Sequence, residues 1–201
     1  MSFRTAATLA TRVSRQPLAS RLVAARTPAT AQRAFHATPA AFIKVGDPLP
    51  GLEDVLTENS PGNKVNLAQE AQALNKMILL GVPAAFSPAC SAKHIPGFIN
   101  HPRTKEFDLV AVVSVNDPFV MKAWGEVLDP AGDHNIRFLA DPSGRFTKAM
   151  DMDFDGSSIF GNHRSKRYSI LIENGKVTSV DVEPDNTGTS VSMAENVLGP
   201  A

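Results

Sequence analysis

Met77-Ile78-Leu79-Leu80-Gly81-Val82-Pro83-Ala84-Ala85-Phe86-Ser87-Pro88-Ala89-Cys90-Ser91-Ala92-Lys93-His94-Ile95 passes from a wholly apolar run, through two prolines, into a segment of helical character. Six apolar residues closed by a proline read as a central strand buried on both faces. Residues 109–115, rich in valine, read as a second such strand. Asp117-Pro118 then supplies an N-cap followed by proline in the first turn, and Phe119, Val120, Ala123, Trp124 and Val127 recur at helical spacing.

A third strand is expected over residues 137–140. Asp141-Pro142 after it is expected to open a helix through Met150 in the same way. Residues 166–172 and 176–182 flank Glu173-Asn174-Gly175, and Asn-Gly is the strongest short-range signal for a β-hairpin turn. A closing helix is expected over residues 190–196, and residues 151–165 read as one long irregular connection. Apolar runs alternating with amphipathic segments favour an α/β domain over an all-α or all-β one. Strand, nucleophile-bearing helix, strand, helix, then hairpin and helix is the layout of a thioredoxin-like fold, a central mixed β-sheet flanked by helices.

Cys90 is the only cysteine in the 201 residues. No disulfide can close within the chain, so an oxidised Cys90 must be recycled by a thiol from outside. Placed at the start of a helix, its sulfur lies where unpaired N–H groups and the positive end of the helix dipole favour a thiolate, the reactive form of cysteine. Pro83 and Pro88 stiffen the approach and remove two N–H donors. Ser87 brings a hydroxyl three residues before the thiol. A fixed cation is also needed, and Arg167 is the leading candidate, with Arg137, Arg145 and Arg164 as alternatives that spacing leaves open. A lone intracellular cysteine is otherwise usually a small buried hydrophobe. His94 reads as a packing or capping residue of the helix, which Pro96 should kink, and Trp124 reads as core or interface.

The formal charge of zero averages two unlike parts. Residues 1–42 carry Arg4, Arg12, Arg15, Arg21, Arg26 and Arg33 and no acid, which leaves 14 Lys and Arg against 20 Asp and Glu in the remainder, a net of −6. The leader is rich in Ala, Ser and Thr and has no apolar run long enough for a signal-peptide core or a membrane span. It reads as a mitochondrial transit peptide. Arg33, Phe35 and Thr38 lie ten, eight and five positions before Ile43, a two-step processing pattern that predicts a mature start at Ile43 and delivery to the mitochondrial matrix. The acidic domain of residues 43–201 gives no reason to expect nucleic-acid binding or membrane insertion. Five scattered histidines and one cysteine lack the paired spacing of a zinc site.

Pro83-Ala84-Ala85-Phe86-Ser87-Pro88-Ala89-Cys90 resembles the peroxiredoxin signature of proline, three residues, threonine or serine, two residues, cysteine. Continued through His94-Ile95-Pro96-Gly97-Phe98, it resembles the type-5 subfamily, with its fungal and plant type II members, and in particular a one-cysteine fungal mitochondrial form. Asn116-Asp117-Pro118-Phe119-Val120, Leu139-Ala140-Asp141-Pro142, Arg167-Tyr168-Ser169 and Val182-Glu183-Pro184-Asp185 match in the same order. The resemblance implies that Cys90 is the peroxidatic cysteine, Ser87 the threonine or serine of the motif, Pro83 the shielding proline and Arg167 the active-site arginine, with Phe86 and Phe160 in an apolar collar. Where some animal members carry a resolving cysteine, this chain has Thr189-Ser190-Val191-Ser192. The implied activity is reduction of hydrogen peroxide and organic hydroperoxides through a Cys90 sulfenic acid, resolved by glutathione with glutaredoxin or by thioredoxin. No metal, haem or flavin is implied. A homodimer through the face near the active-site loop is, and the competing reading is a redox-switched sensor or holdase chaperone using the same thiol.

Overall fold

The computed structural model describes residues 42–132 and 134–201, so the expected transit peptide lies outside the described residues but for Phe42. At the centre, β3 (Lys76–Val82) runs parallel to β4 (Leu109–Ser114), and β4 runs parallel to β5 (Ile136–Ala140). Alternate residues serve two cores, which explains the uninterrupted apolar runs. Ile78, Leu80, Val82, Val110, Val112 and Phe138 pack on one face with Cys90, while Met77, Leu79, Ala111, Val113 and Leu139 pack on the other.

The sheet is completed by β1 (Leu56–Glu58) and β2 (Lys64–Val65) beyond β5, and by β8 (Tyr168–Glu173) and β9 (Lys176–Val182) beyond β3. Its order is β2-β1-β5-β4-β3-β8-β9, with antiparallel pairing everywhere except β3–β4 and β4–β5. Helix α1 (Leu67–Ala73) is capped by Asn66, whose side chain accepts from the Gln69 N–H. The mixed sheet with flanking helices is the thioredoxin-like arrangement expected from the sequence.

Local expectations fare unevenly. The Asn174-Gly175 turn forms with φ of 49° and 76°, the positive pair that a two-residue hairpin loop requires. Helix α3 (Pro118–Leu128) is capped by Asp117, which accepts from the N–H groups of Phe119 and Val120. Its buried face, however, is Met121, Trp124 and Gly125, whereas Phe119 and Val127 are 63% and 66% exposed. Asp141-Pro142 opens no helix. Gly144 at φ 66° completes a turn first, and α4 (Arg145–Ala149) starts after it.

Residues 151–165 are not irregular: β6 (Asp153–Asp155) pairs antiparallel with β7 (His163–Ser165) around the short α5 (Ser157–Phe160). The closing helix α6 is Ala194–Leu198, four residues later than expected, because Ser190 and Ser192 give their donors to Glu183 instead of to a helix.

Gly81 lies opposite Tyr168 across the β3–β8 ladder, and a Cβ there would sit 2.0 Å from the Tyr168 ring. Gly81→Ala is therefore expected to lower stability by about 2–3 kcal/mol, as overpacking does in a close-packed core. An unchanged urea midpoint would show that the ring gives way freely.

Candidate active site

β3 delivers the chain to Pro83, which is buried directly after the strand. The next turn is tight. The Ala85 N–H donates to Asn116 Oδ1, and Phe86 adopts φ 60°, a left-handed backbone uncommon for a side chain of this size. Ser87 closes the turn, with its hydroxyl 2.9 Å from the Ala84 carbonyl, and its own carbonyl accepts from the Ser91 N–H at the start of the helix. The helix widens over Cys90–His94 into a π turn, in which the Ile95 N–H donates to the Cys90 carbonyl, and then continues as α2 (Ile95–Asn100). Pro96 has no N–H to give, and the ladder widens just before it.

Cys90 is fully buried, and its sulfur meets two of the side chains that the sequence singled out. The Ser87 hydroxyl lies 2.8 Å from Sγ, and a guanidinium N–H of Arg167 donates to Sγ at 3.2 Å. Arg167 stands just before β8, the sheet neighbour of β3, so the topology itself brings the two residues together. Nε and Nη2 donate to backbone: Nε to the carbonyls of Gly188 at 2.7 Å and Thr187 at 3.2 Å, and Nη2 to Thr187 at 3.1 Å. Among the described residues no carboxylate is within ion-pair distance of this guanidinium, which is 2% exposed. Its positive charge therefore faces the sulfur.

The alternative cations are elsewhere. Arg137 is held by Glu58 and Glu70, Arg164 donates to the Val115 carbonyl, and Arg145 is exposed on α4. Phe160 has its ring under the Arg164 guanidinium, while Phe86 sits 6.5 Å from Trp124 between ring centres. Trp124 is core, as expected, and also donates to the Ser91 hydroxyl.

Three parts of the site escaped sequence reasoning. Asn116 ties the Phe86 turn to β4 through Ser114. The Thr187 and Gly188 carbonyls carry no residue-type signal at all. His94, read as packing, lies with Nδ1 3.4 Å from Arg167 Nη1 and Nε2 3.3 Å from the Ser169 hydroxyl. Arg167 can only donate, so Nδ1 must accept and the proton sits on Nε2, pointing at Ser169. Burial, together with the charge of Arg167, pushes the His94 pKa down to about 3. It is a neutral acceptor, without the basicity to serve as a general base.

This depression fixes a pH dependence. The unfolded chain takes up a proton on His94 near pH 6.5 that the folded chain refuses, so stability is complete above that pH and falls as pH drops towards 3. The slope contributed by this one group is about 1.4 kcal/mol per pH unit within the window. Urea unfolding at pH 7 and pH 5 should show a smaller loss in His94→Asn than in the wild type. Equal losses would mean that His94 titrates alike in both states.

Among the described residues no cluster of three or more His, Cys, Asp or Glu could hold a metal, and no helix is long and apolar enough to cross a membrane. A free thiol sulfur facing a hydroxyl and a guanidinium is suited to nucleophilic attack on a polar oxygen. Comparison with known proteins agrees. Residues 44–198 match the Redoxin family. Peroxiredoxin-2C of Arabidopsis thaliana is 41% identical over 160 residues, 78% of this chain and 96% of that protein. Peroxisomal membrane associated protein 20 of Schizosaccharomyces pombe is 40% identical, over 78% of this chain and 98% of its own. The crystal structure of reduced Prx3 from Vibrio vulnificus in complex with hydrogen peroxide superposes with a TM-score of 0.68 at 38% identity, covering 78% of this chain and 98% of that one. The chain belongs to the Redoxin family, as a peroxiredoxin, and is a thiol-dependent peroxidase.

Proposed function

We propose that this is a one-cysteine peroxiredoxin of the type-5 kind, reducing hydrogen peroxide and organic hydroperoxides with Cys90 as nucleophile. The observation that carries the reading is the Arg167 N–H 3.2 Å from Cys90 Sγ, with the Ser87 hydroxyl 2.8 Å from the same atom. The Cys90 thiolate attacks the terminal oxygen of the hydroperoxide in line. The S–O bond forms as the O–O bond breaks, leaving sulfenic acid on Cys90 and an alkoxide or hydroxide that takes up a proton. Arg167 and Ser87 stabilise the charge moving to the leaving oxygen. Pro83 walls the pocket without offering a competing N–H.

With one cysteine in the chain, the second half of the cycle needs an external thiol. That thiol condenses with the sulfenic acid, releasing water and leaving a mixed disulfide. A second thiol then frees Cys90. Glutathione with glutaredoxin, or thioredoxin, are the donors that fit. The basic, acid-free leader supports delivery to the mitochondrial matrix, and the family match begins at residue 44, next to the expected mature start at Ile43. Phe119 and Val127 on the outer stripe of α3, with Phe86 beside Trp124, supply the apolar surface for a homodimer.

Cys90→Ser is expected to abolish peroxide consumption, and Arg167→Lys to lower the second-order rate by roughly a hundredfold or more, since a lysine cannot hold sulfur and oxygen together. Survival of turnover in Cys90→Ser would remove the cysteine from the reaction. A reductant panel with protein starting at Ile43 tests the cycle. Multiple turnovers with one of the named donors is the expected result, whereas a single turnover with all of them, alongside suppression of client aggregation, would favour the sensor or holdase. Sedimentation should give a dimer that Phe119→Asp converts to monomer. A wild-type monomer would overturn the dimer.

A further inference from the structure

Arg167 is gripped by one short loop through both its backbone and its side chain. The Arg167 N–H donates to the Asn186 carbonyl at 2.7 Å, and the Glu183 N–H donates to the Arg167 carbonyl at 3.0 Å. The side chain adds its three donations to the Thr187 and Gly188 carbonyls. A backbone carbonyl is a useful aiming point only if the loop bearing it is fixed, and two carboxylates fix this one. Asp185 Oδ1 accepts from the N–H groups of Thr187 at 3.2 Å and Gly188 at 2.6 Å, which turns the two carbonyls together. A Cβ on Gly188 would lie 2.6 Å from that same oxygen, so the turn is closed as tightly as a glycine allows.

The second carboxylate is Glu183, and it is 1% exposed. It takes four hydrogen bonds from across the loop: the Ser190 N–H at 2.8 Å, the Ser190 hydroxyl at 2.5 Å, the Ser192 N–H at 2.9 Å and the Ser192 hydroxyl at 2.7 Å. Burial alone would push its pKa up, but those donors together hold it below the usual carboxylate range, so the clasp is ionised at neutral pH. From Ser192 the contacts return to the centre. The Ser192 carbonyl accepts from the Ser169 hydroxyl, which lies against His94, which lies against Arg167.

We propose that Glu183 is a positioning residue of the peroxidase centre: its carboxylate closes the 183–192 loop, and the closed loop aims the Arg167 guanidinium at Cys90 Sγ through the Thr187 and Gly188 carbonyls. Glu183 touches neither the sulfur nor the peroxide. The proposal rests on the role given above to Arg167, and it adds a second layer to it.

The test is the second-order rate of Cys90 thiol loss with hydrogen peroxide as probe, in the full chain, with melting temperature followed in parallel. Glu183→Gln keeps the size but loses two acceptor lone pairs and the charge. It should lower the rate roughly tenfold, as expected when a catalytic group drifts by a fraction of an ångström. Combined with Arg167→Lys it should cost less than about twofold more, because groups that act through one another are non-additive. A variant that merely loosens the fold would show the same tenfold loss in both backgrounds. Should Glu183→Gln fail to fold, Ser190→Ala and Ser192→Ala each remove one hydroxyl donor and should show a smaller loss that also vanishes with Arg167→Lys. Wild-type rates in these variants, or losses that multiply, would overturn the proposal while leaving the peroxidase reading intact. A wild type that consumes no peroxide would instead remove the role of Arg167, and this proposal with it.

Discussion

The structure turns on a buried guanidinium that no carboxylate among the described residues neutralises. Removing such a charge from water is costly unless its donors are matched one by one. Here the matching is done by two backbone carbonyls, a neutral imidazole and a sulfur. An aspartate or glutamate in that position would satisfy Arg167 better and ruin it for chemistry, since its field would no longer reach Cys90. The neutrality of His94 stems from the same constraint: a second cation against the first would be expelled, and the ring is kept as an acceptor.

The sheet makes this encounter unavoidable. Cys90 comes after β3 and Arg167 precedes β8, and these two strands are paired antiparallel from Gly81–Tyr168 down to Lys76–Glu173. Two residues 77 apart in the chain are thereby placed at the same end of adjacent strands. The two-sided burial of β3, with Ile78, Leu80 and Val82 on the Cys90 face, makes that end stiff. Rigid strands hold a site more closely than loops can, and the loop of residues 183–192 that participates is tied down by its own carboxylates.

Most of the frame was legible in the sequence, and the reasons are local. The apolar runs of β3 and β4, the Asn174-Gly175 turn and the Asp117 cap each announce themselves through short-range chemistry. Cys90, Ser87 and Pro83 sit within eight residues of one another, so motif and neighbourhood coincide. Arg167 could be ranked but not placed, because only strand order decides which arginine reaches the sulfur, and residues alone left Arg137, Arg145 and Arg164 open. What failed depended on residues beyond the signal itself. Ser190 and Ser192 look like a helix start until Glu183 claims their donors, and Asp141-Pro142 repeats the Asp117-Pro118 signal but is succeeded by Ser143-Gly144, which turns the chain first. The carbonyls of Thr187 and Gly188 would be the same atoms in any residue type, and nothing in the sequence marks them.

The π turn at Cys90–His94 holds one residue more than an α-helical turn would, and the wider winding takes up that surplus before α2 begins. Deleting any one of Ser91, Ala92 or Lys93 would restore regular winding, in which Ile95 keeps its place one turn after Cys90 but the Pro96 ring meets the carbonyl four residues before it. Ile95 and Phe98 would stay in the core that Cys90 and His94 now share. Ala92 and Lys93 are exposed and Ser91 half-buried. Their identities are therefore loosely constrained, while their number is held by Pro96: in descendants of this gene, spelling changes across the three positions are tolerable, and a shortened turn calls for the loss of that proline as well.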